Sequence, residues 1–278
     1  MARIVWRDVA GPAILLCAGL VAVVGPMLID FDAVAVFTRQ RLLPPFATLP
    51  SGATAILGTD QLGRDVFAQI IAGARTSLGV GVSAAVLAGL VGTAVGVAAG
   101  WFGGAVDEAI MRFVDVQLSF PSILIAVFLA AFIPPSVLTV IAVLAATRWA
   151  AVARLARAVT VKSVQQGYVE AALVSGLPTW RVVSGSVLPN LYGPLLVLLT
   201  ADLSLIILAE ASLCCIGLGT PPDVPSWGRM IANGRNFLDS AWWISTLPGL
   251  AIASVVIGIG LTGEMLRRRL VRDGWTMI

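Results

Sequence analysis

The sequence predicts an all-α polytopic membrane protein, and three observations support that prediction. Hydrophobic residues make up 58% of the 278 residues, and the mean hydropathy is +0.96. Only 12% of the residues are charged, whereas charged residues make up about a quarter of a typical soluble domain. Several uncharged stretches also reach the length of about 20 residues that a helix needs to cross a bilayer. We therefore expect a single transmembrane domain over residues 1–278.

The uncharged stretches divide into six predicted transmembrane helices. The first covers residues 1–29, where the apolar run is longer than that of a signal peptide and lacks a cleavage site. The stretch 116–147 is too long for one helix, and Pro134-Pro135 near its middle divides it into two. The other predicted spans lie within 76–106, at about 191–215 and at about 244–263.

Basic residues predict the orientation, because cytoplasmic loops carry an excess of Lys and Arg. The segment 148–181 has five basic residues against the acid Glu170, a net charge of +4, whereas 30–75 balances four Arg with four Asp. The acidic stretch 107–115 departs from the rule, but the total favours cytoplasmic termini. The predicted layout is a first span at 1–29, an outer segment at 30–75 that is partly helical from Asp60, core spans at 76–265 with a cytoplasmic segment at 152–190, and a tail at 266–278.

Glycines in the second predicted span indicate close packing between helices. Gly92, Gly96 and Gly100 recur every four residues and therefore lie along one helix face. Small residues at this spacing allow the backbone of a neighbouring helix to approach closely. We expect this face to contact another helix of the chain or of a partner.

The stretch YVEAALVSGLPTWRVVSGSVLPN, residues 168–190, does not resemble a membrane span. Residues 168–175 predict a short helix, and Gly176 suits its C-terminal cap. Pro178 suits the first turn of a second helix, which Arg181 continues. The pattern predicts helix, sharp turn and helix at the inner membrane surface. Such an element serves either as a knob that docks into another protein or as a simple connector.

Motifs along the chain resemble one family of transport proteins. Glu170-Ala171-Ala172, then Gly176 and Leu188-Pro189, are similar to the EAA signature of bacterial ABC-importer permeases. Three further stretches resemble the C-type membrane subunit of dipeptide and oligopeptide permeases: LGTDQLGRDVFAQIIAGARTSL (57–78), GWFGGAVDEAIMRFVDVQLSFPS (100–122) and ILAEASLCCIGLGTPPDVPSWGRMI (207–231). The chain departs from the family pattern at Cys214-Cys215, where Ser-Phe is usual, at Ser186, where His is frequent, and in the tail TGEMLRRRL.

This resemblance implies a type I ABC-importer permease fold in a bacterial inner membrane. It implies a second, different permease subunit, two cytoplasmic ATPase subunits, an extracytoplasmic binding protein and a di- or oligopeptide substrate. The segment 168–176 would be the coupling helix that enters a groove of an ATPase. The residues expected to couple to the ATPase are Tyr168, Glu170, Ala171, Ala172, Gly176, Leu177 and Pro178.

No residue pattern predicts an enzyme, a cofactor or a nucleic-acid partner. The chain lacks His, and its single Lys162 lacks the glycines of a phosphate-binding loop. We therefore expect ATP hydrolysis in partner subunits. Asp60, Arg64 and Asp65 supply too few oxygen ligands for a metal site. An Asp60–Arg64 pair one turn apart, with Thr59 or Asp60 capping a short helix, is the preferred interpretation.

Three residues are candidates for the translocation path or the outer gate: Asp202, Glu210 and Trp227. The two acids lie eight residues apart on one predicted helix, about 80° around its axis, and should avoid lipid. They could pair with Arg148, whose side chain can otherwise snorkel, or with a residue of a partner subunit, line the path, or remain protonated. Trp227 belongs to an outer loop whose tryptophans, with Trp242 and Trp243, are expected at headgroup level.

Two alternatives to peptide import remain open from the sequence. A nickel or metal-chelate importer shares the same branch of permeases. A proton-coupled secondary transporter could use Asp202 and Glu210, although the sequence shows no inverted repeat that would support it. The three cysteines predict no disulfide framework and are expected to act as small apolar packing residues.

Overall fold

The computed structural model describes residues 6–28, 34–49 and 54–272, and most of these residues are helical. Residues 1–5 and 29 of the predicted first span, 30–33 and 50–53 of the predicted outer segment, and 273–278 of the predicted tail lie outside this part of the chain. The α-helices are α1 (Trp6–Leu28), α2 (Val66–Phe102), α3 (Gly104–Ser119), α4 (Ser122–Ala131), α5 (Val137–Val164), α6 (Gly167–Val174), α7 (Thr179–Val182), α8 (Leu188–Cys215), α9 (Trp227–Gly234) and α10 (Trp243–Arg272). Two-residue strands, β1 (Ala47–Thr48) and β2 (Thr54–Ala55), pair antiparallel in the segment before α2.

Among the described residues, five helical segments are long and apolar enough to cross a membrane: Val9–Met27, Val66–Phe102, Val137–Val164, Thr179–Cys215 and Trp243–Arg272. Helices α3 and α4 together make a sixth, which is bent by 91° at Phe120-Pro121. The prediction of an all-α protein with six spans is confirmed when this broken pair counts as one. Pro134 and Pro135 separate α4 from α5, as expected, and Ser136 caps α5 by accepting the Thr139 amide at 3.0 Å.

The beginning of α2 differs from the prediction. The helix starts at Val66, where Asp65 accepts the Ala68 amide at 3.0 Å, and it extends the predicted second span into the predicted outer segment. Neither Thr59 nor Asp60 caps a helix, and the expected helix from Asp60 is wrong. Asp60 lies instead in a tight turn, where its carboxylate accepts the amides of Leu62 and Arg64. The predicted pair does form, with Arg64 Nε 2.7 Å from Asp60 Oδ2.

Helix α8 is longer at its start than the predicted fifth span. A π-helical turn, Val183–Val187, joins α7 to α8, so the helical path runs without interruption from Thr179 to Cys215. Pro189 is the second residue after this turn. Proline has no amide hydrogen, and its ring clashes with the carbonyl four residues earlier in an α-helix. A wider π turn before Pro189 avoids that clash.

The glycine stripe of α2 packs against α5, as predicted. A Cβ atom added to Gly92 would lie 2.5 Å from the Trp149 carbonyl oxygen, and one added to Gly96 would clash with the Ala153 carbonyl. A Cβ atom on Gly100 would lie 2.8 Å from Thr160 Cβ. The two backbones can approach this closely only because these positions lack side chains.

Helix α3 lies against α5 through charged side chains. Arg157 donates two hydrogen bonds to Asp107, of 2.9 and 2.5 Å, and Arg154 pairs with Asp115. The acidic stretch that departs from the positive-inside rule is therefore neutralised in part by arginines of α5.

Helices α1 and α10 run antiparallel to each other. A Cβ atom on Gly11 would lie 2.8 Å from Leu261 Cβ, and one on Gly258 would lie 2.8 Å from Ile14 Cγ2. The first and last described residues, Trp6 and Arg272, consequently lie at the same end of the bundle. The end of α2 packs beside the end of α5, which leads directly into α6. The beginning of α10 and helix α9 lie at the opposite end, where Trp227 and Trp243 belong to a buried hydrophobic core.

Candidate functional site: the exposed helix α6 and the buried acids of α8

Helix α6 ends in a tight left-handed turn at Gly176, as the sequence predicts. Gly176 has φ of 80°, and its amide donates to the Leu173 carbonyl at 3.0 Å. The amide of Leu177 donates to the Ala172 carbonyl at 3.2 Å. These two bonds form a Schellman motif, which satisfies carbonyls at the helix end and reverses the chain direction. Pro178 differs slightly from its predicted place, because it is the extended residue before α7 rather than part of the first turn.

Most of α6 and the following turn is exposed. Its large apolar side chains include Val174 at 84% exposure, Trp180 at 65% and Tyr168 at 51%. Glu170, Ala171, Leu177 and Pro178 are also exposed, and Ala172 is half-buried. An exposed group of large apolar side chains at one end of a protein is typical of a surface that binds another protein.

Two contacts hold α6 to the rest of the chain. Val169 is its one fully buried residue. Asn190, at the start of α8, donates through Nδ2 to the Tyr168 hydroxyl at 2.8 Å and to the Ser186 carbonyl at 2.8 Å. The Tyr168–Asn190 bond therefore connects α6 directly to the turn where the π-helix meets α8.

Asp202 lies in the middle of α8 and is buried, with 5% of its surface exposed. Its Oδ1 atom lies 3.6 Å from Nη1 of Arg148 in α5. Arg148 therefore points into the helix bundle and pairs with an acid, one of the options that the sequence left open, instead of snorkelling to the membrane surface. Asp202 Oδ2 is buried, and no donor among the described residues reaches it.

Glu210, two turns further along α8, is fully buried and lies at the centre of a polar network. Ser77 of α2 donates to its Oε2 atom at 3.5 Å, and Cys214 donates to Oε1 at 3.2 Å. Ser77 also accepts the backbone amide of Trp227 at 3.1 Å. The carboxyl group of Glu210 thus connects α2, α8 and the start of α9. Asp202 and Glu210 both point into the bundle, but they contact different helices.

The same network continues into the loop before α9. The hydroxyls of Thr220 and Ser226 lie 3.0 Å apart, and both lie within 3.7 Å of Cys214 Sγ. Ser226 caps α9 by accepting the Arg229 amide at 3.2 Å. The position of α9 therefore depends on a chain of side-chain contacts that begins at Glu210.

Two of the three tryptophans predicted at headgroup level are buried inside the protein. Trp227 is 3% exposed and donates through Nε1 to the Ile70 carbonyl at 2.9 Å. Trp243 is 5% exposed and donates to the Thr59 carbonyl at 3.1 Å. Both rings pack in the core, where Trp227 connects α9 to α2 and Trp243 connects α10 to the segment before α2. Trp242 is exposed, in agreement with a side chain at the membrane surface.

Sequence reasoning missed several members of these clusters. Ser77 lies 133 residues from Glu210, and Asn190 lies 22 residues from Tyr168. Serine and asparagine are common polar residues, so no local pattern distinguishes these two from others. The cysteines also differ from one another, since Cys214 is buried in the network whereas Cys17 is exposed.

Asp60 has little capacity left for a metal ion. Besides Arg64 and two backbone amides, its carboxylate accepts a hydrogen bond from Gln69 at 3.1 Å. Within the described ranges, no group of three or more His, Cys, Asp or Glu side chains is placed to hold a metal ion.

These features define a multi-pass helical membrane protein with an exposed helical knob at one end and buried acids in its core. The chain belongs to the family of binding-protein-dependent transport system inner membrane components, whose sequence model matches residues 92–273. The protein is accordingly a multi-pass permease component of a bacterial inner membrane.

Curated relatives match almost the whole chain. A putative peptide transport system permease protein of Brucella suis is 37% identical over 92% of this chain and 84% of its own length. The di/tripeptide transport system permease protein DppC of Pseudomonas aeruginosa is 38% identical over 88% of this chain and 81% of its own length. The probable D,D-dipeptide transport system permease protein DdpC of Escherichia coli is 34% identical over 96% and 89%, respectively.

Proposed function

We propose that this chain is the permease subunit of an ATP-driven importer of di- or oligopeptides and forms half of the translocation path. The observation that carries the proposal is the similarity to peptide permeases over at least 88% of the chain in the three relatives described above. At this coverage the similarity extends over most of the membrane helices as well as the exposed helix α6. A match confined to α6 would support a transporter of this class without indicating its substrate.

Helix α6 is the element through which ATP hydrolysis in partner subunits acts on this chain. Its exposed apolar side chains suit a groove of another protein, and the Schellman turn at Gly176 fixes the shape of the knob. Glu170 and Ala171 face outward beside these side chains. The ATPase-coupling surface therefore consists of Tyr168, Glu170, Ala171, Ala172, Gly176, Leu177 and Pro178.

The chain inserts with both termini in the cytoplasm. The antiparallel packing of α1 and α10 supports this orientation because it brings both described ends to the α6 end of the bundle. The basic residues Arg154 and Arg157 lie toward the same end. Residues 1–278 form a single membrane domain. A reporter fused after residue 278 should be active in the cytoplasm, and a reporter that is active outside the cell would contradict this topology.

The functional unit contains more than this chain. A second, homologous permease completes the translocation path, two ATPase subunits bind at the cytoplasmic side, and an extracytoplasmic binding protein delivers the peptide. Glu210, Asp202 and Trp227 belong to the part of the chain that changes during transport. Through the polar network, Glu210 and Trp227 hold α9 at the outer end, where a gate must lie.

A growth and uptake experiment tests the substrate. Cells that lack this chain should lose uptake of a labelled dipeptide and should fail to use that dipeptide as a source of a required amino acid. Expression of the chain together with its neighbouring transport subunits should restore both. Loss of nickel uptake with intact dipeptide uptake would instead show a metal-chelate importer.

A further inference from the structure

The Arg148–Asp202 pair has unused hydrogen-bonding capacity on both sides. Its closest N–O distance of 3.6 Å is too long for a hydrogen bond, whereas Arg157 binds Asp107 through two short ones. Asp202 Oδ2 has no donor among the described residues. Within the same part of the chain, no hydrogen bond involves the Arg148 guanidinium, which has five N–H donors.

The pair also lies deep within the helices that carry it. Arg148 is 11 residues from the start of α5, and Asp202 is 13 residues from the end of α8. At 1.5 Å per residue these separations are about 17 Å and about 20 Å, which places both charges near the middle of a hydrocarbon core about 30 Å thick. A buried ion pair stabilises a protein only when its geometry is good and further hydrogen bonds satisfy it. Stabilisation of the fold therefore does not account for this pair.

A groove between α5 and α8 begins one helical turn from the pair. Its volume is about 700 Å³, and its walls include Ala151 and Leu155 of α5 and Leu198 of α8. Leu155 lies on the same face of α5 as Arg148, and Leu198 lies one turn before Asp202. The volume is within the range of about 300–1,000 Å³ that small-molecule pockets have. The walls are mainly apolar, and the one charged residue among the described residues that line them, Arg154, pairs with Asp115. Arg148 and Asp202 lie just beyond the end of the groove, next to its lining residues Ala151 and Ala201.

A guanidinium and a carboxylate this close together suit a ligand that carries both charges. Arg148 would repel a metal cation from the neighbouring carboxylate, and Asp202 would repel a simple anion from the guanidinium. A peptide with free termini carries an ammonium group and a carboxylate, and each would form a charge-assisted hydrogen bond. A dipeptide spans at most about 7 Å when extended, so its two termini can reach both side chains.

We propose that Arg148 and Asp202 form a site for a zwitterionic dipeptide during its passage through the permease. Asp202 Oδ2 accepts hydrogen bonds from the N-terminal ammonium, and Arg148 donates to the C-terminal carboxylate. The two side chains contact each other when the peptide is absent, which keeps the site neutral. This inference rests on the proposed peptide-import function and adds a preference of the permease itself for short peptides with free termini.

Photolabelling of the assembled transport complex without its binding protein tests the site. Three dipeptide probes carry the same diazirine side chain: one has free termini, one is N-acetylated and one is C-amidated. The free probe should label the wild-type groove near Ala151 and Leu198. Each blocked probe should label at least about tenfold less, the loss expected for one charge-assisted hydrogen bond.

Two single variants should each remove one preference. In Asp202→Asn the free and the acetylated probes should label the groove equally, while the amidated probe should still label it less than the free probe does. In Arg148→Gln the free and the amidated probes should label the groove equally, while the acetylated probe should still label it less than the free probe does. Glu108→Gln, which removes the partner of Arg112 on the exposed surface of α3 and away from the groove, is the matched control and should keep the wild-type pattern.

A purely structural role predicts equal losses for all probes, and that result would overturn the site. Labelling outside the groove, or no labelling of the wild type, would overturn it as well. If the single variants fail to assemble, the exchange of both residues (Arg148→Asp with Asp202→Arg) keeps the site neutral. In this double variant the free probe should bind in the opposite direction, so that the adducts found on α5 and on α8 in the wild type exchange places. Adducts at the wild-type positions would contradict the proposal.

Uptake by the wild-type complex in vesicles, with the binding protein present, distinguishes this inference from the proposed function. Dipeptide uptake together with unchanged probe preferences in both single variants contradicts the Arg148–Asp202 site alone. Absence of dipeptide uptake by the wild type contradicts the proposed function.

Discussion

The substitution Gly176→Val strains the turn after α6 without creating a steric clash, so it isolates the role of the knob. Gly176 has φ of 80°, and a Cβ atom added there meets nothing within 4 Å. A residue with a Cβ atom in this left-handed conformation costs about 1–2 kcal/mol, and a β-branched residue is a clear outlier there. The capping bonds from Gly176 and Leu177 both depend on this conformation.

A loss of 1–2 kcal/mol lowers the ratio of capped to uncapped turn by about five- to thirty-fold. If the ATPase binds only the capped form, its apparent affinity falls by up to the same factor. We expect Gly176→Val to reduce both co-purification of the ATPase subunits and peptide uptake, while the membrane helices insert normally.

Gly176→Asn is the matched control, because Asn tolerates the left-handed conformation at helix ends better than other residues with a side chain. It should retain most of the ATPase binding and uptake. Normal assembly and uptake in Gly176→Val would refute the docking role and leave 168–190 as a connector. Equal losses in the Asn and Val variants would refute the argument from backbone strain.

Substitutions at three further positions test the buried and connecting groups. Glu210→Gln should keep assembly but alter uptake, whereas Glu210→Leu should reduce both because Ser77 and Cys214 lose their acceptor. Tyr168→Phe removes a hydrogen bond worth about 1 kcal/mol and should lower the peptide transported per ATP, while Tyr192→Phe should not. Gly96→Ala should reduce the yield of folded protein, since overpacking costs about 1–3 kcal/mol, while Gly79→Ala, with nothing within 4 Å of its added Cβ, should not.

Each of these substitutions has a result that would contradict its reasoning. Unchanged uptake and assembly in Glu210→Leu would show that the network is dispensable. If Tyr168→Phe and Tyr192→Phe transported the same amount of peptide per ATP, the Tyr168–Asn190 bond would have no role in coupling. Equal yields of Gly96→Ala and Gly79→Ala, measured by extraction and gel filtration, would show that the contact between α2 and α5 tolerates a wider separation.

Local chemistry made several parts of the fold predictable. The Pro134-Pro135 break, the left-handed turn at Gly176 and the close approach along Gly92, Gly96 and Gly100 each follow from a restriction on the backbone or on side-chain volume. The sequence did not predict the helix break at Phe120-Pro121, because Pro121 is a single proline near the start of the uncharged run from 116 to 147. The beginning of α2 at Val66 was also missed, since Arg75 ends the uncharged run on which the predicted second span was based.

The partners of the buried groups depend on packing between distant parts of the chain. Two acids on α8 indicate buried polar contacts, but only the fold shows that Asp202 reaches Arg148 whereas Glu210 reaches Ser77. Trp227 and Trp243 are of the residue type that is typical of the membrane–water interface. Their burial follows from the way α9 and the start of α10 fold back onto α2.

The most direct test of the central claim is accumulation of a labelled dipeptide by vesicles that contain the purified complex of this chain with its partner subunits and binding protein. We expect accumulation against a gradient only when ATP is supplied on the ATPase side, and we expect it to continue when an uncoupler removes the proton gradient. Accumulation that stops with the uncoupler while ATP remains high would contradict ATP-driven import and would favour a proton-coupled transporter.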